Sequence, residues 1–248
     1  MASSLHCSTS TGTVMPGRSA RLSDRKVTRA NWRAMSGSVR QKLLVSSSAS
    51  SGSSGLPMIT GAICRELGLS DVVLVAHSVA SMMAVLASSR APELIAALVL
   101  IGPSPRYVDD GDYVGGFSRT DIAGLLDALD SNHLGWSAEM APVIMGNADR
   151  PELAEELTNS FCRTSPDIAR QFARVTFLSD NRADLPGVAV PTLILQCSED
   201  AIAPDAVGEY VHRNVPGSRL VRLAATGHVP QLSAPEETTA AIRAFLDG

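Results

Sequence analysis

From Leu56 onward, short continuous apolar runs alternate with stretches of helical periodicity. This alternation is typical of βαβ units on a mostly parallel sheet, whose strands are covered on both faces. The runs predict four strands, at residues 72–76, 97–101, 192–196 and, less cleanly, 219–223. A helix is predicted between the first two strands, over residues 78–90, and Pro92 closes it. The pattern therefore predicts an α/β fold.

The region between the second and third predicted strands has only helical periodicity. Three amphipathic helices are predicted there. The first lies behind a Ser118-x-x-Asp121 capping box, the second carries Leu153 and Phe161, and the third begins at Ser165-Pro166. An all-helical insertion at this point favours a cap over the carboxyl edge of the sheet, where α/β proteins bind ligands. The alternative is a plain helical layer.

A final helix is predicted near the carboxyl terminus, with Ile242, Phe245 and Leu246 on one face. Ser233 and Glu236 form its predicted capping box. The domain boundaries that follow are a first core part at residues 56–117, the helical cap at 118–180 and a second core part at 181–248.

Residues 1–55 differ in composition from the rest of the chain. They contain 15 serines and carry eight Lys or Arg against the single acid Asp24. We interpret them as a disordered or non-homologous leader, and an organellar transit peptide has the same Arg-rich, Ser-rich composition. The remaining chain is acidic, which argues against nucleic acid as a partner of the folded body.

Composition excludes several other classes. No apolar run approaches the roughly 20 residues that a membrane helix needs. The four cysteines are widely separated, and no two histidines have the spacing of a metal pair. We therefore predict a cytoplasmic enzyme with neither a metal nor a cofactor and without a membrane anchor.

Ser78 is the candidate nucleophile because it directly follows a predicted buried strand and opens a helix. This is the context of a nucleophile elbow, although Ala76 and Ala80 replace the two glycines of the usual G-x-S-x-G motif. By itself the local motif is better explained by a serine that is a structural N-cap. Val79 would offer its backbone N–H to an oxyanion.

Two further groups follow strand ends. Asp200 comes after the strand at 192–196, and His228 comes after the strand at 219–223. The order Ser, Asp, His is that of a hydrolase triad in which His228 accepts the serine proton and Asp200 orients the imidazole. Glu199 is the competing acid.

Four longer stretches carry a resemblance to a known family. They are residues 75–82 (VAHSVASM), 101–107 (IGPSPRY), 113–117 (YVGGF) and 226–233 (TGHVPQLS). They resemble the RsbQ branch of the α/β-hydrolases, which contains a bacterial stress-pathway regulator and, more distantly, plant strigolactone and karrikin receptor hydrolases. The similarity covers roughly residues 56–247.

This resemblance implies the α/β-hydrolase fold, a four-helix cap, a small apolar pocket and a triad of Ser78, Asp200 and His228. For bacterial members it also implies a PAS-domain phosphatase partner. The N-terminal strands of the family and its glycine-rich oxyanion turn have no recognisable counterpart in residues 1–55. The sequence therefore predicts a fold without those strands, with residues 72–76 as an exposed edge and one oxyanion donor missing.

The predicted function is a serine hydrolase of a small hydrophobic ester or lactone that serves stress signalling. Two alternatives remain open at this point. One is a ligand-sensing or partner-binding protein with slow or absent turnover, and the other is a truncated, inactive copy.

Overall fold

A computed structural model describes residues 42–46 and 56–248. In this part of the chain, five parallel strands form one sheet in the order β1-β2-β3-β4-β5. The strands are β1 Lys42–Ser46, β2 Val72–His77, β3 Ile95–Ile101, β4 Thr192–Cys197 and β5 Arg219–Leu223. The four strands predicted from apolar runs are confirmed to within two residues at their ends.

Helices cover both faces of this sheet, as the βαβ pattern requires. They are α1 Leu56–Glu66, α2 Val79–Arg90, α7 Asp205–Asn214, α8 Pro230–Ser233 and α9 Pro235–Leu246. Alternate strand residues point to opposite faces. Leu74 and Leu98 pack with residues of α2 and α7, whereas Val73 and Val99 pack on the side of α9. Strands β2, β3 and β4 are therefore buried on both sides, which explains their continuous apolar runs.

The insertion between β3 and β4 folds as four helices: α3 Arg119–Ser131, α4 His133–Met145, α5 Pro151–Cys162 and α6 Pro166–Leu178. Three were predicted from their apolar stripes. The periodicity did not reveal α4, because its buried positions include His133, Ser137 and Ala141, which do not form an apolar pattern. A cluster around Ile122, Leu126 and Phe177 forms the interior of this cap.

The predicted exposed edge at β2 is wrong. Residues Lys42–Ser46 form a strand that lies parallel to β2, with Leu44 opposite Leu74 and Ser46 opposite Ala76. Five residues of the predicted leader thus belong to the sheet. Residues 1–41 and 47–55 lie outside the described part of the chain. The interpretation of these residues as a leader therefore stays a prediction.

The two predicted capping boxes have different outcomes. At α3, the Ser118 hydroxyl accepts from the Asp121 N–H at 3.1 Å and the Asp121 carboxylate accepts from the Ser118 N–H at 2.9 Å. The box predicted for the last helix is wrong, because α9 begins only at Pro235 and the Ser233 hydroxyl is buried without a hydrogen bond. Ser233, the predicted N-cap, is instead the last residue of the short helix α8.

Ion pairs join the two connections between core and cap. Arg106, on the connection into the cap, contacts Asp180 at 2.6 Å on the connection out of it. Arg182 contacts Asp180 and Asp110, both at 2.7 Å. None of the helices in the described ranges has the length and apolarity needed to span a membrane.

Candidate active site

Ser78 lies between β2 and α2 in a backbone conformation that non-glycine residues rarely adopt, with φ 58° and ψ −130°. Its N–H donates to the Ile101 carbonyl at 2.8 Å, and its carbonyl accepts from the Ser81 N–H at 2.9 Å. The Ser78 hydroxyl makes no capping bond to α2. Ser78 thus occupies the N-cap position of α2 without capping the helix through its side chain, which argues against a purely structural N-cap role.

The three residues of the predicted triad lie together. The Ser78 hydroxyl donates to His228 Nε2 at 2.7 Å, and His228 Nδ1–H donates to Asp200 Oδ2, also at 2.7 Å. The side chains of His228 and Asp200 are almost completely buried. In this arrangement Nδ1 carries the only N–H proton of the neutral ring and Nε2 faces the hydroxyl as an acceptor, as a general base requires.

Asp200, rather than Glu199, is the acid of this arrangement. Its second oxygen, Oδ1, accepts the N–H groups of Ile202 and Ala203 at 2.8 and 2.9 Å. Glu199 is exposed and contributes only its backbone carbonyl, which accepts from the Gly227 N–H. These two bonds within its own loop hold the Asp200 carboxylate in the orientation in which Oδ2 accepts from His228.

Gly102 makes room for the His228–Asp200 pair. It directly follows β3 with φ +52°, and a Cβ at this position would lie 3.1 Å from His228 Cε1 and 3.3 Å from Asp200 Oδ2. The sequence analysis did not identify this residue. The signal available there was a glycine directly after an apolar strand.

Tyr107 was also missed as a site residue. Its hydroxyl lies 3.4 Å from Ser78 Oγ, and its side chain is buried. Burial raises the pKa of Tyr107 to about 12, so the phenol is protonated at neutral pH. Its ring packs edge-on against Phe177 of α6. Tyr107 thus connects the nucleophile to the apolar interior of the cap.

His77 lies beside the triad but is not part of it. Its Nε2–H donates to the His228 carbonyl oxygen at 2.6 Å. Burial and, secondarily, the neighbouring His228 ring lower the pKa of His77 to about 3. The ring is therefore neutral at physiological pH and acts through the backbone of His228.

The two alanines that replace the motif glycines are accommodated at the elbow. Ala76 is buried in the sheet core, and Ala80 packs against the same cluster. Val79, the predicted oxyanion donor, is the first residue of α2, where N–H groups have no intrahelical partner. Its role in binding an oxyanion stays a prediction.

The geometry just described agrees with a comparison of the whole sequence. A model of the alpha/beta hydrolase family matches residues 17–242. The chain belongs to this family. The match begins well inside the predicted leader, in agreement with the position of β1 in the sheet.

Curated relatives include a karrikin insensitive 2 receptor of Petunia hybrida, 39% identical over 178 residues, or 71% of this chain and 65% of the relative. A strigolactone esterase of Arabidopsis thaliana is 38% identical over 74% of this α/β-hydrolase chain and 69% of its own. The chain thus spans about 65% of the length of the petunia receptor.

The fold is also similar to solved structures. A hydrolase from Oleispira antarctica superposes with a TM-score of 0.77 at 35% identity, covering 79% of this chain and 72% of that protein. The predicted α/β-hydrolase fold class is confirmed. The narrower resemblance to the RsbQ branch stays a prediction.

Proposed function

We propose that this protein is a serine hydrolase of small apolar esters or lactones. The observation that carries the proposal is the continuous hydrogen-bonded chain from Ser78 through His228 to Asp200, with both distances at 2.7 Å. A serine hydroxyl is a weak nucleophile until a neighbouring base removes its proton. The buried histidine beside it is such a base.

In the proposed reaction, Ser78 Oγ attacks the carbonyl carbon of the ester while its proton passes to His228 Nε2. Asp200 stabilises the imidazolium that forms. The carbonyl oxygen becomes an oxyanion that the Val79 N–H at the start of α2 can stabilise. His228 then protonates the leaving alkoxide, which departs and leaves an acyl-serine.

A water molecule completes the cycle. It attacks the acyl carbon while His228 removes one of its protons, and collapse of the second tetrahedral intermediate releases the carboxylic acid. The proton that His228 took from the water passes to Ser78 Oγ as the bond between serine and acyl group breaks. Each step of this reaction moves only a proton and an electron pair between these atoms, so the reaction as written needs neither a metal nor a redox group.

The surroundings of Ser78 favour an apolar substrate. Tyr107 contacts the serine from a cluster that includes Val108, Ile122 and Phe177. The charged side chains of Arg106, Asp110, Asp180 and Arg182 pair with one another at the two connections between core and cap, which we call the hinges. Relatives named as a strigolactone esterase and a methyl ester esterase are consistent with an ester or lactone substrate.

A second function is favoured by the names of the relatives, since some are receptors. We infer as the alternative a slow-turnover sensor, in which binding of a small molecule under the cap controls a protein partner. Stress signalling through a PAS-domain phosphatase in the cytoplasm is the form of this alternative that the RsbQ resemblance implies.

The test is intact-mass spectrometry of the full-length protein after exposure to a fluorophosphonate probe. We expect one adduct on the wild type and none on Ser78→Ala. Ser81→Ala is the matched control, because Ser81 lies one helical turn away with its hydroxyl donated to the Ala76 carbonyl. Equal labelling of Ser78→Ala and the wild type would refute the proposal, and so would the absence of an adduct on both.

A further inference from the structure

The cap is hydrogen-bonded to the backbone of the candidate general base. The N–H of His228 donates to the carbonyl of Ile144, in the last turn of α4, at 2.8 Å. The carbonyl oxygen of His228 accepts a hydrogen bond from His77 Nε2–H at 2.6 Å. Both backbone groups of His228 are thus used, one by the cap and one by the elbow. A displacement of the α4 end would act directly on the residue that faces Ser78.

Asn147 reinforces this connection from the turn after α4. Its side-chain Nδ2 donates to the Met145 carbonyl at 2.7 Å and to the Thr226 carbonyl at 3.1 Å. Thr226 lies two residues before His228. One amide group therefore bonds the end of a cap helix and the loop of residues 226–229, which we call the histidine loop.

Arg150 holds Asn147 in place and reaches the far side of the histidine loop. Its Nη2 donates to Asn147 Oδ1 at 2.7 Å, and its Nη1 donates to the Ser233 carbonyl at 2.8 Å. The amide and the guanidinium thus bond the chain both before and after His228. We call this pair of residues the cap clamp. Both side chains are only partly exposed.

The contact between the end of α4 and the histidine loop has no spare space. Gly227 has φ +78°, and a Cβ at this position would lie 1.9 Å from the Met145 carbonyl oxygen. Asn147 itself has φ 53°, a conformation in which asparagine is favoured over most residues. The backbone on both sides is therefore shaped for this one arrangement.

We propose that Asn147 and Arg150 are positioning residues that couple the place of the cap to the place of His228. This inference rests on the proposed hydrolase function and adds a means of control to it. When the clamp is intact, the histidine loop keeps Nε2 at hydrogen-bond distance from Ser78. When the clamp opens, the chain loses its bonds to Asn147 at Thr226 and to Arg150 at Ser233, one on each side of His228, and the base shifts away from the serine. The cap then governs acylation as well as access.

The first experiment measures hydrolysis of p-nitrophenyl acetate and the rate of fluorophosphonate labelling in full-length variants. Asn147→Gly keeps the positive φ but removes both donated bonds. We expect kcat and the labelling rate to fall about tenfold or more, with a smaller change in KM, since misplacing a catalytic group by about 1 Å can cost up to 10²-fold. Arg150→Met is expected to act in the same direction, and Arg150→Lys, which keeps a cationic donor, to recover part of the loss.

The matched control is Asn132→Ala. Asn132 also belongs to the cap, where its side chain accepts from the Gly135 N–H at the start of α4, but it does not contact the histidine loop. This variant weakens the cap without touching the clamp, so we expect kcat within about twofold of the wild type. Equal losses in Asn132→Ala and Asn147→Gly would overturn the proposal, because they would indicate general cap destabilisation. Wild-type kcat in Asn147→Gly would overturn it as well.

A second readout separates this proposal from the proposed function. The proton on His228 Nδ1, bonded to Asp200, gives a low-field proton NMR signal that Asp200→Asn assigns by its loss. We expect Asn147→Gly to broaden or shift the signal and Asn132→Ala to leave it unchanged. If the wild type shows the signal but neither hydrolyses the ester nor reacts with the probe, the hydrolase function is refuted. The clamp proposal is then tested by comparing this signal between the wild type and Asn147→Gly. An unchanged signal in Asn147→Gly contradicts the clamp whatever the activity.

Discussion

The backbone of Ser78 has an unfavourable conformation that its neighbours stabilise. Such conformations cost on the order of 1–3 kcal/mol and persist only where the surroundings fix them. At Ser78 the N–H bond to Ile101 and the carbonyl bond from Ser81 supply that restraint. The serine hydroxyl therefore has a fixed position relative to His228, and little reorganisation is needed before attack.

His77 makes the stability of the protein depend on pH. Burial lowers the pKa of His77 in the folded chain to about 3, from an ordinary value of about 6.5, so the unfolded chain binds the extra proton first as the pH falls. Stability is therefore fully present above about pH 6.5 and is lost as the pH falls from there toward 3. Between pH 7 and pH 5, we expect His77 to account for a loss of up to about 2 kcal/mol in the free energy of unfolding.

Urea unfolding of the wild type and His77→Gln at pH 7 and pH 5 measures this effect. Glutamine keeps a donor for the His228 carbonyl but does not titrate, so the loss between the two pH values should be smaller in the variant. Subtracting the loss of unfolding free energy in the variant from the loss in the wild type gives the contribution of His77, because all other titrating groups are common to both proteins. Identical losses in the two proteins would refute the prediction.

At the scale of elements, helix ends show what local sequence determines. The Ser118–Asp121 box forms as predicted because both partners lie on one exposed turn, and its hydrogen bonds lower the pKa of Asp121. The same pattern at Ser233 fails. There, Arg150 from the cap takes the Ser233 carbonyl and Pro235 starts a new helix. A tertiary contact thus overrides the local signal.

The box at α3 gives a stability prediction. Replacing Ser118 with alanine removes the bond to the Asp121 N–H, and we expect the free energy of unfolding to fall by about 1 kcal/mol. Chemical denaturation at pH 7 measures the change. Ser131→Ala is the control at the other end of the helix, since its hydroxyl only back-bonds to the Asp127 carbonyl. A loss at Ser131 as large as that at Ser118 would contradict the capping explanation.

The elements that could be predicted from the sequence differ from those that could not in the pattern of apolar residues that they carry. Strands β2, β3 and β4 were predictable because burial on both faces requires apolar residues throughout. Helix α4 was missed because its buried face carries polar and small side chains. Strand β1 was missed because its five residues, KLLVS, are shorter than the serine-rich surroundings that masked them. Tyr107 was missed as a site residue because tertiary packing alone brings its hydroxyl to Ser78. Gly102 was missed because a glycine after an apolar strand does not show which side chains it makes room for.

At the scale of the whole molecule, two groups of side-chain bonds stand out among the contacts between cap and core in residues 56–248. One is the group of ion pairs among Arg106, Asp110, Asp180 and Arg182 at the hinges, and the other is the cap clamp at the histidine loop. Hydrogen bonds from Arg182 hold the pKa of Asp180 at about 2, so this carboxylate stays charged at any pH at which the protein is used. The hinge fixes where the cap is attached, while the clamp connects its position to the triad.

The sheet as a whole depends on β1, which covers the edge of β2. Without this strand, the buried apolar strand that positions Ser78 would present an unpaired edge, and such edges promote aggregation. Successive residues of a parallel strand direct their N–H groups to opposite sides. The double substitution Leu44→Pro/Val45→Pro therefore removes one donor to β2, whichever of the two residues faces it.

We expect this double variant to melt at least about 4 °C lower than the wild type and to elute partly as aggregate in size-exclusion chromatography. Lys42→Pro is the control, since proline is tolerated at the first residue of a strand and Lys42 occupies that position. Because Ser78 follows β2 directly, fluorophosphonate labelling should fall together with the melting temperature in the double variant. If the double variant melts and labels like Lys42→Pro, the strand pairing between β1 and β2 contributes nothing to the fold, and another segment must cover the edge of β2.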